Sequence, residues 1–138
     1  MERVLGLDVG DKTIGVAVSD PLGFTAQGLT TLIRESNKKD YQAIKELIDE
    51  YNAQTLVVGL PKNMNNTIGP QSEKVIKFAE KIKNKFNVEI IYIDERLTTM
   101  SAERLLIEGN VRRENRKKYI DKLAASYILQ TYLDSQRR

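Results

Sequence analysis

The first third of the chain has apolar residues in a short run and then at alternate positions, which predicts three strands. Residues 4–9 are apolar or glycine except for one acid, Asp8, as in a buried strand. After a Gly-Asp-Lys turn, alternation at 14–18 predicts a second strand, antiparallel to the first because the connection is so short. A weaker third strand is predicted from Ala26 to Ile33, after an Asp-Pro-Leu-Gly turn.

Further along, the apolar spacing becomes three or four, which predicts helices between further strands. Apolar positions within 41–51 and 75–86 lie on one face of each of two amphipathic helices. A brief apolar strand at 55–59 and a loop rich in Asn, Pro and Gly at 60–69 separate them. A fifth strand is predicted at 88–93.

Two more helices are predicted towards the end of the chain. Thr98 or Thr99 can cap one that runs through Glu108 and ends at Gly109. Apolar residues from Ile120 to Ile128 mark the other.

The predicted order of elements is βββαβαβαα, in one domain over residues 1–138. An antiparallel opening followed by two helical crossovers predicts an α/β fold with a five-stranded mixed sheet, whose first three strands are antiparallel. Right-handed crossovers would place helices on both faces of the sheet. This expected topology resembles that of the ribonuclease H superfamily.

Composition limits the chemistry more than it limits the fold. Hydrophobic residues make up 41% and charged residues 30% of the chain, which is typical of a globular protein. There is no cysteine and no histidine, which excludes disulfides, thiolate or imidazole metal sites and a Ser-His-Asp triad. Acid, base or metal chemistry must come from Asp, Glu, Lys, Tyr or bound water.

The chain has 22 basic and 19 acidic residues, a net charge of +3, which permits a nucleic-acid partner without demanding one. Basic residues cluster at 109–118, and this stretch is predicted to be a loop. Its positive charge would attract a phosphate backbone, or alternatively the loop is only solvated by water. No stretch is apolar for long enough to span a bilayer and no signal pattern opens the chain. We therefore expect a cytoplasmic location and no membrane partner.

Three acids lie where strands and helices could bring them together. Asp8 interrupts an apolar strand, Glu95 follows the fifth strand, and Asp121 borders the apolar face of the last helix beside the small residues 124 and 125. Each has a simpler interpretation. Asp8 can bond to its turn, Glu95 can form a surface ion pair with Arg96, and Asp121 can cap or complement the start of its helix.

If the three carboxylates converge, their all-oxygen site favours a hard ion, Mg²⁺ or Mn²⁺. Two such ions about 4 Å apart can activate a water and stabilise the leaving oxygen in phosphodiester hydrolysis, without a histidine. The candidate catalytic and metal-binding residues are therefore Asp8, Glu95 and Asp121.

Polar and basic residues outside this trio are candidates for substrate contacts. The amides of the loop at 60–69 can donate to phosphate or sugar oxygens, or can satisfy their own backbone as a long turn. The basic stretch before Asp121 would offset the repulsion of a polyanion by an acidic site. The candidate substrate contacts are Lys12, Asn63, Asn65, Arg96, Arg116, Lys117 and Lys118.

Four sequence blocks resemble those of the YqgF/RuvX proteins, described as Holliday-junction-resolvase-like and as nucleases of pre-16S rRNA. The blocks are GLDVGDKTIGVAVSD at 6–20, GLPKNMNNTIGPQS at 59–72, DERLTT at 94–99 and RKKYIDKLAASYILQTYLD at 116–134. The resemblance implies a ribonuclease-H-like fold and a cytoplasmic bacterial nuclease that matures the 5′ end of 16S rRNA with a divalent metal. It also implies that the family's acidic positions fall on Asp8, Glu95 and Asp121.

The usual strand order of this superfamily places the fifth strand two strand spacings, about 10 Å, from the first. Glu95 must then reach inward across the fourth strand, which ends in Gly59-Leu60-Pro61 without an acid. A more open site with weak metal binding is expected. Lys12 stands where the family often has Arg, and Lys cannot make a two-pronged phosphate contact.

Other functions remain open at the level of sequence. A nuclease for branched DNA junctions needs the same site and often a dimer, so structured RNA and branched DNA are both candidate substrates, and monomer and homodimer are both candidate states. A nucleic-acid-binding or ribosome-associated factor without catalysis is a second class. An actin-like nucleotide hydrolase shares the Asp-x-Gly pattern but needs a second homologous domain, for which 138 residues leave no room.

Overall fold

The computed structural model describes residues 2–61, 68–95 and 113–136, with the backbone alone at 113–121. The strands are β1 (Arg3–Val9), β2 (Thr13–Ser19), β3 (Ala26–Ile33), β4 (Ala53–Leu60) and β5 (Glu89–Asp94). The helices of these described parts are α1 (Asn37–Tyr51), α2 (Pro70–Phe86) and α3 (Arg113–Gln136).

The strands form one mixed sheet in the order β3-β2-β1-β4-β5. β2 is antiparallel to both β1 and β3, whereas β4 is parallel to both β1 and β5. The chain enters β4 through α1 and β5 through α2, the long connections that parallel pairing requires. The predicted five-stranded mixed sheet, with its first three strands antiparallel, is confirmed.

Local turn chemistry fixes the antiparallel opening. The Gly10 N–H donates to the Thr13 carbonyl at 2.9 Å and closes the β1–β2 turn. In the next turn the Asp20 carboxylate accepts from the backbone N–H groups of Thr25 at 2.8 Å and Phe24 at 2.7 Å. These hydrogen bonds favour the charged carboxylate and therefore lower the pKa of Asp20, and the bond from Thr25 has the largest effect.

Alternation along the strands divides the core between the two faces of the sheet. One face packs against α1 and α2 through fully buried side chains that include Leu5, Leu7, Ile14, Ile44, Leu56 and Ile82. The other face packs against α3 through Ala17, Val57, Ala125, Ile128 and Leu129. Helices therefore cover both faces, as predicted. Within the described ranges, none of the helices is long and apolar enough to cross a membrane.

Helix α3 lies close to the sheet because β1 has no side chain at Gly6. A Cβ atom on Gly6 would be 2.8 Å from Leu129 Cβ and 2.9 Å from the Ala125 carbonyl oxygen. Carbon atoms in favourable contact are about 3.5–4.0 Å apart, so only glycine fits this position without displacing the helix. The small residue Ala125 contributes to the same close approach, as its sequence position predicted.

One prediction is wrong, because the basic stretch at 109–118 is not a loop throughout. Helix α3 begins at Arg113, so four basic residues lie in its first two turns: Arg113, Arg116, Lys117 and Lys118. Arg, Lys and Glu are good helix formers, and beyond its first residue the stretch contains neither glycine nor proline. The helix predicted from Thr98 or Thr99 to Glu108 lies outside the described residues.

Candidate active site

Asp8 lies near the carboxyl end of β1, on the face of the sheet that α3 covers. Its neighbours Leu7 and Val9 are buried in the core beneath α1 and α2. Because side chains alternate along a strand, Asp8 shares the opposite face with Gly6, which contacts α3. The Asp8 side chain is half-buried, so it lies at the rim of the core rather than within it.

Glu95 follows β5, and its carboxylate turns back over β4. The carboxyl carbon of Glu95 is 3.3 Å from the position that a Cβ atom on Gly59 would occupy. A Cβ atom there would overlap the Cδ1 atom of Ile128 and press on the carboxylate. The space left by the missing side chain of Gly59 is therefore occupied by Ile128 and bordered by the Glu95 carboxylate.

The register of the sheet puts Gly59 between the two acids. Leu7 pairs with Val58 across β1 and β4, so Asp8 and Gly59 are the next positions along these two strands. Gly59 in turn pairs with Ile93 of β5. Since adjacent strands are about 4.8 Å apart, the inward turn of Glu95 reduces its separation from β1 to about one strand spacing.

Asp121 is a residue of α3, one turn before Ala125. The interpretation of Asp121 as a cap or first-turn acid is wrong, because α3 begins about two turns earlier, at Arg113. The sequence obscured this start because the first turns of α3 carry charged residues without an apolar stripe. The side chain of Asp121 lies outside the described part of the structure.

The direction of α3 nevertheless places the backbone of residue 121. Gln130 accepts a hydrogen bond from the Ala26 N–H at the start of β3, at 2.9 Å, and Lys122 lies farther along the strand, over Gly28. Helix α3 thus runs opposite to β3, and β3 runs in the same direction as β1. Residues before Lys122 therefore lie toward the carboxyl end of β1, the end that carries Asp8.

The two described acids suit a divalent cation. Both present carboxylate oxygens, which are hard ligands of the kind that Mg²⁺ and Mn²⁺ prefer. Where side chains are described, no group of three or more Asp, Glu, His or Cys could hold a metal ion. The third predicted ligand, Asp121, is not among those side chains.

The predicted substrate contacts fall into three groups. Lys12 is exposed in the β1–β2 turn, just beyond the strand that carries Asp8. Three lie on the first turns of α3, where only the backbone is described: Arg116, Lys117 and Lys118. Three lie outside the described residues: Asn63, Asn65 and Arg96.

Sequence reasoning missed Gly59 as a part of this site. A glycine inside a strand often marks the close approach of another group, and Gly59 is the last residue but one of β4, where no turn requires it. That signal was available in the sequence, but the group that approaches Gly59 was not.

Comparison with solved structures identifies the class of fold. The chain is similar to Thermus thermophilus RuvC in complex with a Holliday junction substrate, with a TM-score of 0.61 and 13% identity over 99% of this chain and 96% of that one. It is also similar to the fowlpox virus Holliday junction resolvase, with a TM-score of 0.56 and 16% identity over 96% and 99%. The fold is ribonuclease-H-like, as predicted.

Sequence comparison identifies the family. The RuvX family, described as Holliday junction resolvase, matches residues 2–135. A relative from Clostridium botulinum is 59% identical over 133 residues, which are 96% of this chain and 97% of the relative. Another, from Thermoanaerobacter pseudethanolicus, is 60% identical over 136 residues, 98% of each, and both names contain the words pre-16S rRNA nuclease. The chain belongs to the RuvX family, and the predicted class of enzyme, a nuclease, is confirmed.

Proposed function

We propose that this nuclease hydrolyses phosphodiester bonds of RNA with Mg²⁺ or Mn²⁺, in the 5′-end maturation of pre-16S rRNA in the cytoplasm. The observation that carries the proposal is the carboxylate of Glu95 beside Gly59, about one strand spacing from Asp8. Two carboxylates brought together from separate strands repel each other unless a cation neutralises them. Asp121, near the same end of β1, is the proposed third ligand.

In this proposal Asp8, Glu95 and Asp121 hold the metal through carboxylate oxygens. A bound divalent ion would supply a water nucleophile at neutral pH and stabilise charge on the leaving oxygen. The chain supplies the positions of the ligands, because Asp8 lies within a paired strand and Glu95 packs beside Gly59. Since the chain has no histidine, a carboxylate or solvent must accept the proton of the attacking water.

Positive charge around the carboxylates supports a polyanionic substrate. Lys12 lies in the turn after β1, and Arg116, Lys117 and Lys118 lie on the part of α3 that precedes Asp121. These charges would offset the repulsion between the acids and a phosphate backbone. Asn63, Asn65 and Arg96 follow β4 and β5 in the sequence and are proposed as further contacts to phosphate or sugar.

Precursor 16S rRNA is proposed as the substrate because the relatives that carry this name match nearly the whole chain at 59% and 60% identity. Branched DNA is the second candidate, favoured by the family description and by the fold shared with junction resolvases. Binding to the ribosome and the choice between monomer and homodimer stay predictions.

The test is single-turnover cleavage of precursor rRNA and of a four-way DNA junction, with Mg²⁺ or Mn²⁺. The variants Asp8→Asn, Glu95→Gln and Asp121→Asn should each lose activity on the order of 100-fold or more, because metal ligation contributes several kcal/mol to the transition state. The matched controls are Asp49→Asn and Glu50→Gln, which remove the same charges from the exposed side of α1.

Full cleavage by Asp8→Asn combined with Asp121→Asn would show that the proposed site is wrong. Preference for the junction over the rRNA would select the second candidate. If the wild-type protein binds RNA but cleaves neither substrate with either metal, the function is binding and not hydrolysis.

A further inference from the structure

A groove between α1 and α2, on the face of the sheet opposite α3, holds two adjoining cavities. The larger, of about 350 Å³, is lined at one end by Val9, Asp11 and Gln71. The smaller, of about 260 Å³, extends to Lys38 and Phe86. Tyr41 lines both cavities, so they adjoin at this residue.

The walls of this groove carry charge of almost one sign. Four lysines of α2 lie at spacings of three and four residues, on one face of the helix: Lys74, Lys77, Lys81 and Lys85. Lys38 lies on the α1 side. Lys74 has a distant ion pair with Asp11, at 3.9 Å, whereas the other four lysines have no ion-pair partner within the described residues.

This arrangement differs from an ordinary solvated helix face. Like charges three and four residues apart destabilise a helix, and opposite charges at these spacings stabilise it. The exposed side of α1 has such a favourable pair, Lys45 with Asp49 at 2.8 Å. A bound polyanion would neutralise the lysines of α2 and so relieve the repulsion between them, and the positive potential of the groove would attract it.

The floor of the groove supplies a buried hydrogen-bond donor. Tyr41 is 7% exposed, and its hydroxyl has no hydrogen-bond partner among the described residues. A tyrosine hydroxyl carries its proton at neutral pH and can donate to an anionic oxygen, and burial raises the pKa of Tyr41 further. The Lys85 ammonium lies 6.0 Å from the centre of the same ring.

The groove begins at the sheet edge that carries the proposed active site. Val9 lines the larger cavity and is the residue next to Asp8, on the opposite face of β1. From there the lysines follow α2 from Lys74 to Lys85, a separation of eleven positions or about 16 Å at 1.5 Å per residue. That length suits a chain of several phosphates better than one small anion.

We propose that the groove between α1 and α2 binds the sugar–phosphate backbone of a nucleic-acid strand at a distance from the bond that is cleaved. The lysines pair with successive phosphates, and the Tyr41 hydroxyl donates to a phosphate oxygen. The inference rests on the proposed nuclease function for its ligand class. The strand leaves the carboxylates over the carboxyl end of β1 and continues along α2.

Fluorescence anisotropy with a labelled single-stranded RNA, in EDTA and over a series of salt concentrations, tests this groove without cleavage. The variant Lys77→Ala/Lys81→Ala should bind more weakly. The slope of log K against log salt concentration should become shallower by about 1.4, since each phosphate contact on a single strand contributes about 0.7. The control Lys39→Ala/Lys83→Ala removes two exposed lysines of the same helices that line neither cavity, and its slope should equal that of the wild type.

Tyr41→Phe keeps the aromatic packing and removes the hydroxyl, so we expect about three- to tenfold weaker binding with an unchanged salt slope. Equal slopes for the two double variants would overturn the proposal, whether or not Asp8→Asn abolishes cleavage. A second result would also overturn the proposal. If inorganic phosphate stabilises the wild type against heat but not Lys77→Ala/Lys81→Ala, and both proteins bind RNA equally, the groove binds a free anion. If Asp8→Asn cleaves normally but the slopes differ as expected, the proposed catalytic site fails and the groove stands.

Discussion

Replacing Gly59 by alanine should separate the stability of the fold from the position of Glu95. The new Cβ atom would overlap Ile128 Cδ1 and lie 3.1 Å from its Cγ1 and 3.3 Å from the Glu95 carboxyl carbon. Overpacking of this kind costs about 1–3 kcal/mol, and the lower flexibility of alanine in the unfolded chain offsets about 0.5–1 kcal/mol. Because Cδ1 is the end of a side chain that can turn away, we expect a net loss of about 1–2 kcal/mol.

The activity of Gly59→Ala should fall more than this loss of stability explains, because the methyl group displaces a proposed metal ligand. The double variant Gly59→Ala/Ile128→Val removes Cδ1, the atom in closest contact, and leaves the contact with Glu95. Its free energy of unfolding should therefore exceed that of Gly59→Ala, whereas its cleavage rate and its metal requirement should stay impaired. Urea unfolding gives the first quantity, and cleavage titrated with Mn²⁺ gives the other two.

Gly6→Ala is the matched control on the neighbouring strand. Its Cβ atom would meet Leu129 Cβ at 2.8 Å and the Ala125 carbonyl oxygen at 2.9 Å, and neither can rotate away. It should cost about 3 kcal/mol or more in urea unfolding, so it gives the cost of an overlap that cannot relax, without a methyl group against Glu95. If Gly59→Ala is destabilised as expected but cleaves with the wild-type metal dependence, the position of Glu95 beside Gly59 has no bearing on catalysis.

Two further predictions concern stability away from the site. Arg34→Met should lower the free energy of unfolding in urea by about 3 kcal/mol, because the buried carboxylate of Asp40 loses its ion-pair partner, which lies 2.9 Å away. The control Lys45→Met breaks the exposed ion pair with Asp49 and should cost about 0.5 kcal/mol or less. Backbone hydrogen bonds, of which that from Thr25 has the largest effect, lower the pKa of Asp20 in the folded state. The ionised Asp20 therefore stabilises the fold above the pKa of about 3.9 that it has in the unfolded chain, and this stabilisation is lost as the pH falls through the folded pKa. Asp20→Asn should therefore flatten the acid limb of a plot of unfolding free energy against pH, and an unchanged limb would contradict this assignment.

The sheet could be predicted from the sequence because its signals are local. Strand β3 has the predicted bounds, Ala26 to Ile33, since a turn built by Asp20 precedes it and pairing with β2 extends from Ala26 to Ile33. Strand β4 is longer than its predicted apolar core at 55–59 and runs from Ala53 to Leu60, because pairing with neighbours on both sides extends a strand beyond its most apolar residues.

The start of α3 and the reach of Glu95 could not be predicted in the same way. The first turns of α3 are charged on all sides, so their sequence pattern is the same for a helix as for a solvated loop. The reach of Glu95 depends on Gly59, 36 positions earlier in the chain, and on the side chain of Ile128, which arrives later from another helix. A contact among three distant segments is set by packing in three dimensions, which no local pattern contains.

The close seating of α3 on β1 has a consequence for synthesis of the protein. The chain emerges from its amino end, so all five strands emerge before Ala125 and Leu129, which cover Gly6. Until then Ala17 and Val57 lack the α3 side chains that bury them and are open to unwanted association. The nascent enzyme is therefore at its most vulnerable in the last stage of translation, when a factor that shields apolar sheet faces would protect it most.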